Sequence, residues 1–183
     1  MVVFFRYWVV LVLLWVFKII FTFLDLWREF FMSLEIERKF LVVGDSWRSA
    51  AAVYYCQGYL NRDKARTVRV RVAGESGFLT IKGISQCATR AEFEYGIPLN
   101  DAKELLALCE MPLIEKYRRK ISYEGMCWEV DEFLGGNEGL VIAEIELEAE
   151  DQGFKKPEWA GDEVTQDSRY YNSNLSLHPF KHW

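Results

Sequence analysis

Along Glu35-Ile36-Glu37-Arg38-Lys39-Phe40-Leu41-Val42-Val43, charged and apolar side chains keep exchanging places. An extended strand sends successive side chains to opposite faces. Glu35, Glu37 and Lys39 then share one face, and Ile36, Arg38 and Phe40 the other. Taken singly, such a strand reads as the half-exposed edge of a sheet. The same alternation returns further along the chain, with both signs of charge at every second position.

The pattern predicts a first strand over 34–43, a turn at Gly44-Asp45-Ser46, and a short helix capped by Ser46 and running to Ala52. Strands follow over 53–60 and 67–72, the latter with Arg69 and Arg71 on one face and valines on the other. Gly74-Glu75-Ser76-Gly77 reads as a hairpin turn into a strand ending at Lys82. Ala91 to Ile97 sets Glu92 and Glu94 against Phe93 and Tyr95, and Pro98 ends it. A helix opening at Asp101 carries an apolar stripe through Leu105, Leu106, Leu108 and Cys109, and is expected to lie over one side of the sheet. Strands over 114–123, 126–133 and 140–149 complete the series. Gly135-Gly136-Asn137 is a turn only, lacking the context of a phosphate loop. A short helix is expected from Asp167.

The alternating set holds nine acids (Glu35, Glu37, Glu92, Glu94, Glu129, Asp131, Glu144, Glu146, Glu148) and seven bases (Lys39, Arg69, Arg71, Lys82, Lys116, Arg118, Lys120). Their partners on the opposite faces are apolar, among them Val68, Val70, Ile81, Trp128 and Ile145. Two architectures accommodate this. Charged faces pointing outward would leave the apolar faces to meet as a sandwich core. Charged faces pointing inward would line the lumen of a wide barrel, with helices covering the outside. Arg119 falls on the opposite face from Lys116 and Arg118, as a solvated surface residue.

Composition narrows the choice of chemistry. With 183 residues and 51% hydrophobic content the chain can bury one substantial core. A formal net charge of −5 argues against a general nucleic-acid binder. Cys56, Cys87, Cys109 and Cys127 have no ligand-like spacing and read as reduced cytoplasmic thiols. His178 and His182 find no third metal ligand in the sequence, and with only these two histidines a nucleophilic triad is not in view.

Residues 1–31 differ in kind. Their apolar run is interrupted by Arg6 and Lys18, and two readings fit: a membrane anchor, or an upstream extension of the reading frame before Met32. The remainder, with 19 basic and 25 acidic residues, carries −6.

Arginine pairs grip phosphate oxygens in fork geometry. Clustered carboxylates without histidine or thiolate suit a hard cation such as Mg²⁺ or Mn²⁺, held jointly with substrate phosphates. Together they point to a metal-chelated polyphosphate and to phosphoryl transfer, with water as nucleophile.

Glu35-x-Glu37-x-Lys39, just after a methionine, resembles the N-terminal signature of the CYTH superfamily, the triphosphate tunnel metalloenzymes. Arg69-x-Arg71, Thr80-Ile81-Lys82-Gly83, Glu92-x-Glu94, Lys116-x-Arg118, Glu129-x-Asp131 and Glu144-x-Glu146 follow in order. The tail Gly161-x-Glu163-Val164-Thr165 and Arg169-Tyr170-x-Asn172 is similar to short bacterial members. The resemblance implies an α+β, mainly β, fold: an eight-stranded antiparallel barrel forming a tunnel, with flanking helices, over a domain of 32–183. It implies triphosphate binding by Lys39, Arg69, Arg71, Lys82, Lys116 and Arg118, and metal binding by Glu35, Glu37, Asp131, Glu144 and Glu146. Glu92, Glu94 and Glu129 would line the tunnel, and Glu37, Lys39 and Lys116 are the candidates for the chemical step. Lys120 and Glu148 fit the alternation equally well as tunnel or rim charges. The substrate expected first is inorganic tripolyphosphate. Cyclisation of ATP, thiamine triphosphate hydrolysis, and polyphosphate binding without turnover are the alternatives.

Overall fold

A computed structural model of the chain describes residues 36–63, 65–84 and 91–183. The expectations for residues 1–31 and for Glu35 lie outside the described residues. The strands are β1 (Ile36–Val42), β2 (Ala52–Asn61), β3 (Arg66–Ala73), β4 (Ser76–Gly83), β5 (Glu92–Ile97), β6 (Glu110–Tyr123), β7 (Met126–Phe133), β8 (Val141–Leu147) and β9 (Ala160–Glu163). Among the described residues there are two α-helices, α1 (Leu99–Ala107) between β5 and β6 and α2 (Asn172–Leu175) after β9.

All nine strands belong to one sheet in the order β5-β4-β3-β2-β6-β7-β8-β1-β9, and every ladder is antiparallel. Tight turns make the hairpins. Glu124 and Gly125, at φ 49° and 80°, supply the left-handed pair that a two-residue turn between β6 and β7 demands. Among the described residues no ladder joins β5 to β9. The sheet instead curls, so that side chains from β1, β2, β3, β4, β6, β7 and β8 wall a single cavity. The inward-facing architecture is therefore the observed one: the charged faces share an interior and the apolar faces look out.

Those outer faces are covered in two ways. Over β3 and β4 lies α1, with Val70, Val72, Ala102, Leu106 and Cys109 forming one apolar cluster. Gly77 permits this approach, since a Cβ there would come within 2.7 Å of Ala102 Cβ. Over β1, β7 and β8 there is no helix among the described residues. Phe154 and Trp159, from the segment between β8 and β9, pack with Trp47 on Phe40, Trp128, Val130, Ala143 and Ile145. Aromatic bulk at a few irregular positions covers the sheet there as a helix would.

Four local expectations are corrected. The helix expected over 46–52 is a single 3-10 turn, Ser46–Ser49, with no side-chain cap. Trp47 is buried there with its indole N–H donating to Gly44 O at 2.8 Å, and Ala52 onward is drawn into pairing with β6. Strand β6 starts at Glu110, running through Pro112. Strand β9 has no counterpart in the alternation; it is only four residues long and takes its place from β1 rather than from its own pattern. Arg119 faces outward as expected but is not solvated: it pairs with Glu132 at 2.9 Å and lies over the Trp47 ring at 5.1 Å.

One end of the inner face is apolar. Two positions along their strands from Lys39, Lys116, Asp131 and Glu144 stand Leu41, Ile114, Phe133 and Ile142. These pack with Leu175, Tyr170 and Phe180 of the C-terminal segment. The interior therefore passes from charged to apolar along its length, and the tail docks at the apolar end.

Candidate active site

Strand alternation alone brings the charged side chains together. The cavity has a volume of about 910 Å³ and its wall takes in seven cations and five carboxylates. The cations are Lys39, Arg69, Arg71, Lys82, Lys116, Arg118 and Lys120; the carboxylates are Glu37, Glu129, Glu144, Glu146 and Glu148. Packing cations this closely in a low-dielectric wall is tolerable only with counter-charges at hand.

Each group of bases has its own counter-charge. On β3, Arg69 and Arg71 share Glu94 of β5 at 3.3 and 2.8 Å, and Thr80 donates to the same carboxylate at 2.8 Å. Lys82 pairs with Glu92 at 2.7 Å. Glu92 and Glu94 do not line the cavity among the described residues. Both acids are engaged by bases of the wall, and of the three acids expected to line the tunnel Glu129 is on the cavity wall itself.

On β6, Lys116 and Arg118 converge on Asp131, each at 2.5 Å. Asp131 is fully buried and absent from the cavity wall. Expected as a metal ligand, it is placed behind the cations with both oxygens engaged. Arg118 also reaches Glu129 and, at 2.7 Å, Glu144. The other oxygen of Glu144 takes Lys39 at 2.6 Å, and Lys39 pairs further with Glu37 at 2.8 Å.

The protonation equilibria follow these contacts. Burial lowers the Lys116 ammonium below its ordinary value and neighbouring Arg118 pushes the same way, against the pull of Asp131. Arg71 is lowered by burial and by Arg69. For Lys39 burial acts downward, but Glu144 and Glu37 outweigh it and the ammonium is held firmly charged. Glu144, though buried, is held well below the usual carboxylate range by Lys39, Arg118 and Lys116.

Two features suit the wall to an anion and a cation together. The buried Nε donors of Arg69 and Arg71 have no hydrogen-bond partner. Glu37 on β1 registers directly with Glu146 on β8, and Glu129 on β7 with Glu144. Like charges face to face across a ladder are unfavourable unless a cation stands nearby. Arg118 serves Glu129 and Glu144, and Lys39 stands beside Glu37. Glu37 and Glu146, lining the cavity, form an all-oxygen pair suited to a hard divalent cation. Among the described residues no three His, Cys, Asp or Glu side chains are gathered as a preformed metal cage. The pair fits an ion whose remaining ligands come from a phosphate chain and water. Lys120 is 64% exposed and Glu148 is exposed, so both are rim charges.

Charge alternation overlooked the neutral polar residues of the interior. Gln57, Tyr59, Thr165 and Gln166 line the cavity, and Thr80 ties Arg69 to Glu94. Thr80 and Thr165 stand in the motifs that resemble the CYTH superfamily, whereas the only signal for Gln57 and Tyr59 was position, two residues apart in the inward register of β2.

A curled antiparallel sheet with opposed rows of bases and acids on its inner wall defines a protein that binds a metal-chelated polyanion. A model of the CYTH domain matches residues 33–178, and the chain belongs to that family. It is 56% identical over 154 residues to the inorganic triphosphatase of Acetivibrio thermocellus, covering 83% of this chain and 99% of that protein. It is 36% identical over 148 residues to the inorganic triphosphatase of Nitrosomonas europaea, covering 78% and 97%. The crystal structure of the inorganic triphosphatase NE1496 superposes with a TM-score of 0.59 at 36% identity, over 78% of this chain and 97% of that one. The expected mainly-β tunnel fold is thus observed, with the short edge strand β9 added to the eight expected strands among the described residues.

Proposed function

We propose that residues 32–183 form a divalent-metal-dependent inorganic triphosphatase, cutting tripolyphosphate to pyrophosphate and phosphate. The observation that carries this reading is the cavity wall itself. Six buried or half-buried bases on β1, β3, β4 and β6 face a cleft that also presents the Glu37–Glu146 pair. Arg69, Arg71, Lys82, Lys116, Arg118 and Lys39 grip the phosphate chain, and the Nε donors of the two β3 arginines have no hydrogen-bond partner within the protein. Glu37 and Glu146 would hold Mg²⁺ or Mn²⁺. When bound, that ion supplies charge neutralisation and a more acidic water.

In phosphoryl transfer, positioning and charge neutralisation supply nearly all the rate enhancement. Lys39 and Lys116 stand on either side of Glu144 and Arg118, fixed by their ion pairs, and offset charge on the chain as the bond to the terminal phosphorus breaks. Glu37, half-exposed at the mouth, orients the attacking water. Asp131, Glu92 and Glu94 act by holding the bases in place through their ion pairs. Metal chemistry comes from carboxylates at the mouth and charge neutralisation from the bases deeper in.

The test is a metal-dependent substrate panel on the protein started at Met32. Phosphate release from tripolyphosphate should far exceed release from ATP or thiamine triphosphate. Cyclic AMP formed from ATP, or binding without turnover, would overturn the reading. A putative adenylyl cyclase from Hippeastrum, itself described as having a dominant triphosphatase activity, shares the fold over 63% of this chain at 14% identity, TM-score 0.51, and that similarity extends to fold alone. Comparing the full chain with the Met32 start tests whether residues 1–31 take part in catalysis; equal activity is expected. The free thiols of Cys56, Cys109 and Cys127 fit a reducing, cytoplasmic setting. Among the described residues no helix is long and apolar enough to cross a membrane.

A further inference from the structure

We propose that Gln57 is a substrate-binding residue that reads the innermost phosphoryl group of the chain; the proposal rests on the triphosphatase reading above. Gln57 is 1% exposed, lines the cavity, and its Nε2 has no hydrogen-bond partner. A buried amide donor with nothing to donate to is costly, and native structures seldom tolerate one without a ligand or water to meet it.

The position makes the unmet donor informative. Across the ladders Gln57 registers with Arg71 on β3 and with Ile114 on β6. Ile114 belongs to the apolar cluster with Phe133, Ile142 and Leu175 that occupies one end of the interior. A leucine or methionine at 57 would extend that cluster with no unmet donor. The glutamine stands where the charged wall gives way to the apolar end. The preceding inward residue, Tyr55, lies beneath both Arg71 and Arg118, at 5.7 and 5.4 Å from its ring centroid. An anion gripped by those two guanidinium groups comes alongside the amide.

The chemistry suits the place. An amide N–H donates without adding an eighth positive charge to a wall that already holds seven. It also rewards an oxygen held at one height in the tunnel, where a flexible ammonium would follow the charge. Gln57 therefore gauges how deeply the phosphate chain is seated and binds its terminal phosphoryl oxygens.

The experiment compares wild type, Gln57→Leu and Gln57→Asn with tripolyphosphate and divalent metal, alongside thermal melts with and without substrate. Gln57→Leu is expected to raise KM about tenfold, with kcat within about threefold and a melting temperature no lower than wild type. Gln57→Asn keeps the amide but withdraws it by one methylene, and should fall between the two. A Gln57→Leu protein that melts lower while keeping the wild-type KM would assign Gln57 a structural role and overturn the proposal. If that variant fails to fold, an unchanged KM in Gln57→Asn overturns it instead. Wild type that shows no turnover of tripolyphosphate overturns the functional reading. Calorimetric binding of tripolyphosphate to wild type and Gln57→Leu then decides the role of Gln57 separately.

Discussion

Lys116 Nζ lies 2.5 Å from Asp131 Oδ2, with the two side chains 2% and 0% exposed. The carboxylate simultaneously receives Arg118, so one buried acid holds two cations on the cavity wall. Removing one partner of such a pair leaves charge buried without compensation. Asp131→Asn is expected to destabilise the metal-free protein by about 3–5 kcal/mol. Chemical denaturation in chelator measures this. Unchanged stability, with activity restored by excess metal, would instead return Asp131 to the role of direct metal ligand.

The facing pair Glu37 and Glu146 makes the opposite prediction, a functional loss without a structural one. Glu37→Gln should lose nearly all turnover while its melting temperature holds, because Lys39 keeps Glu144 at 2.6 Å when it loses the Glu37 charge and the Glu37–Glu146 repulsion is relieved. Glu146→Gln should raise the metal concentration for half-maximal rate about tenfold, equivalent to about 1.4 kcal/mol. Metal titrations of phosphate release check both, and full activity in Glu37→Gln would refute its role.

On the outer face, Gly77 tests how α1 is seated. A Cβ there would lie 2.7 Å from Ala102 Cβ and 3.0 Å from Ile97 O. Gly77→Val should cost about 1–3 kcal/mol of stability through overpacking. The cavity lies on the other side of β4, so KM measured well below the melting transition should stay at its wild-type value.

Burial pushes the Cys109 thiol up to about 11, whereas Cys127 is exposed at the cavity mouth. The thiolate is the reactive form. Native protein near neutral pH should therefore alkylate at Cys127 and spare Cys109 until unfolded. Mass spectrometry after iodoacetamide treatment reads this directly, and modification of native Cys109 at the rate of Cys127 would contradict it.

Much of the fold was legible because the signal is local. The eight alternating segments are strands β1 to β8, with boundaries shifted by a few residues, since a half-buried strand writes its period of two into the sequence. Residues whose place depends on other elements were not legible. Strand β9 has no alternation of its own and exists through the edge of β1. Ser46–Ser49 has the residues of a helix start yet forms a 3-10 turn, because Trp47 is needed in the cluster with Phe40 and Trp128.

The same division runs through the site. Charge alternation picked out all seven bases of the cavity wall. It could not distinguish an acid that lines the cavity from one that stands behind it. Glu92, Glu94 and Asp131 share the period of Glu37 and Glu144, yet they pair with bases of the wall and are not among the residues that line the cavity. Gln57 carries no charge, and beyond its place in the register of β2 nothing marked it until its burial and its unmet donor were visible.

By itself the sequence determined which residues share a face of each strand and how many charges of each sign those faces carry, because the strand period is a property of the backbone. Only the tertiary structure decided that the charged faces look inward and which acid neutralises which base. It also decided that the interior ends in an apolar cluster against the tail. Those outcomes depend on how the sheet curls and on contacts between residues as much as 126 positions apart, as Lys39 N and Thr165 Oγ1 are.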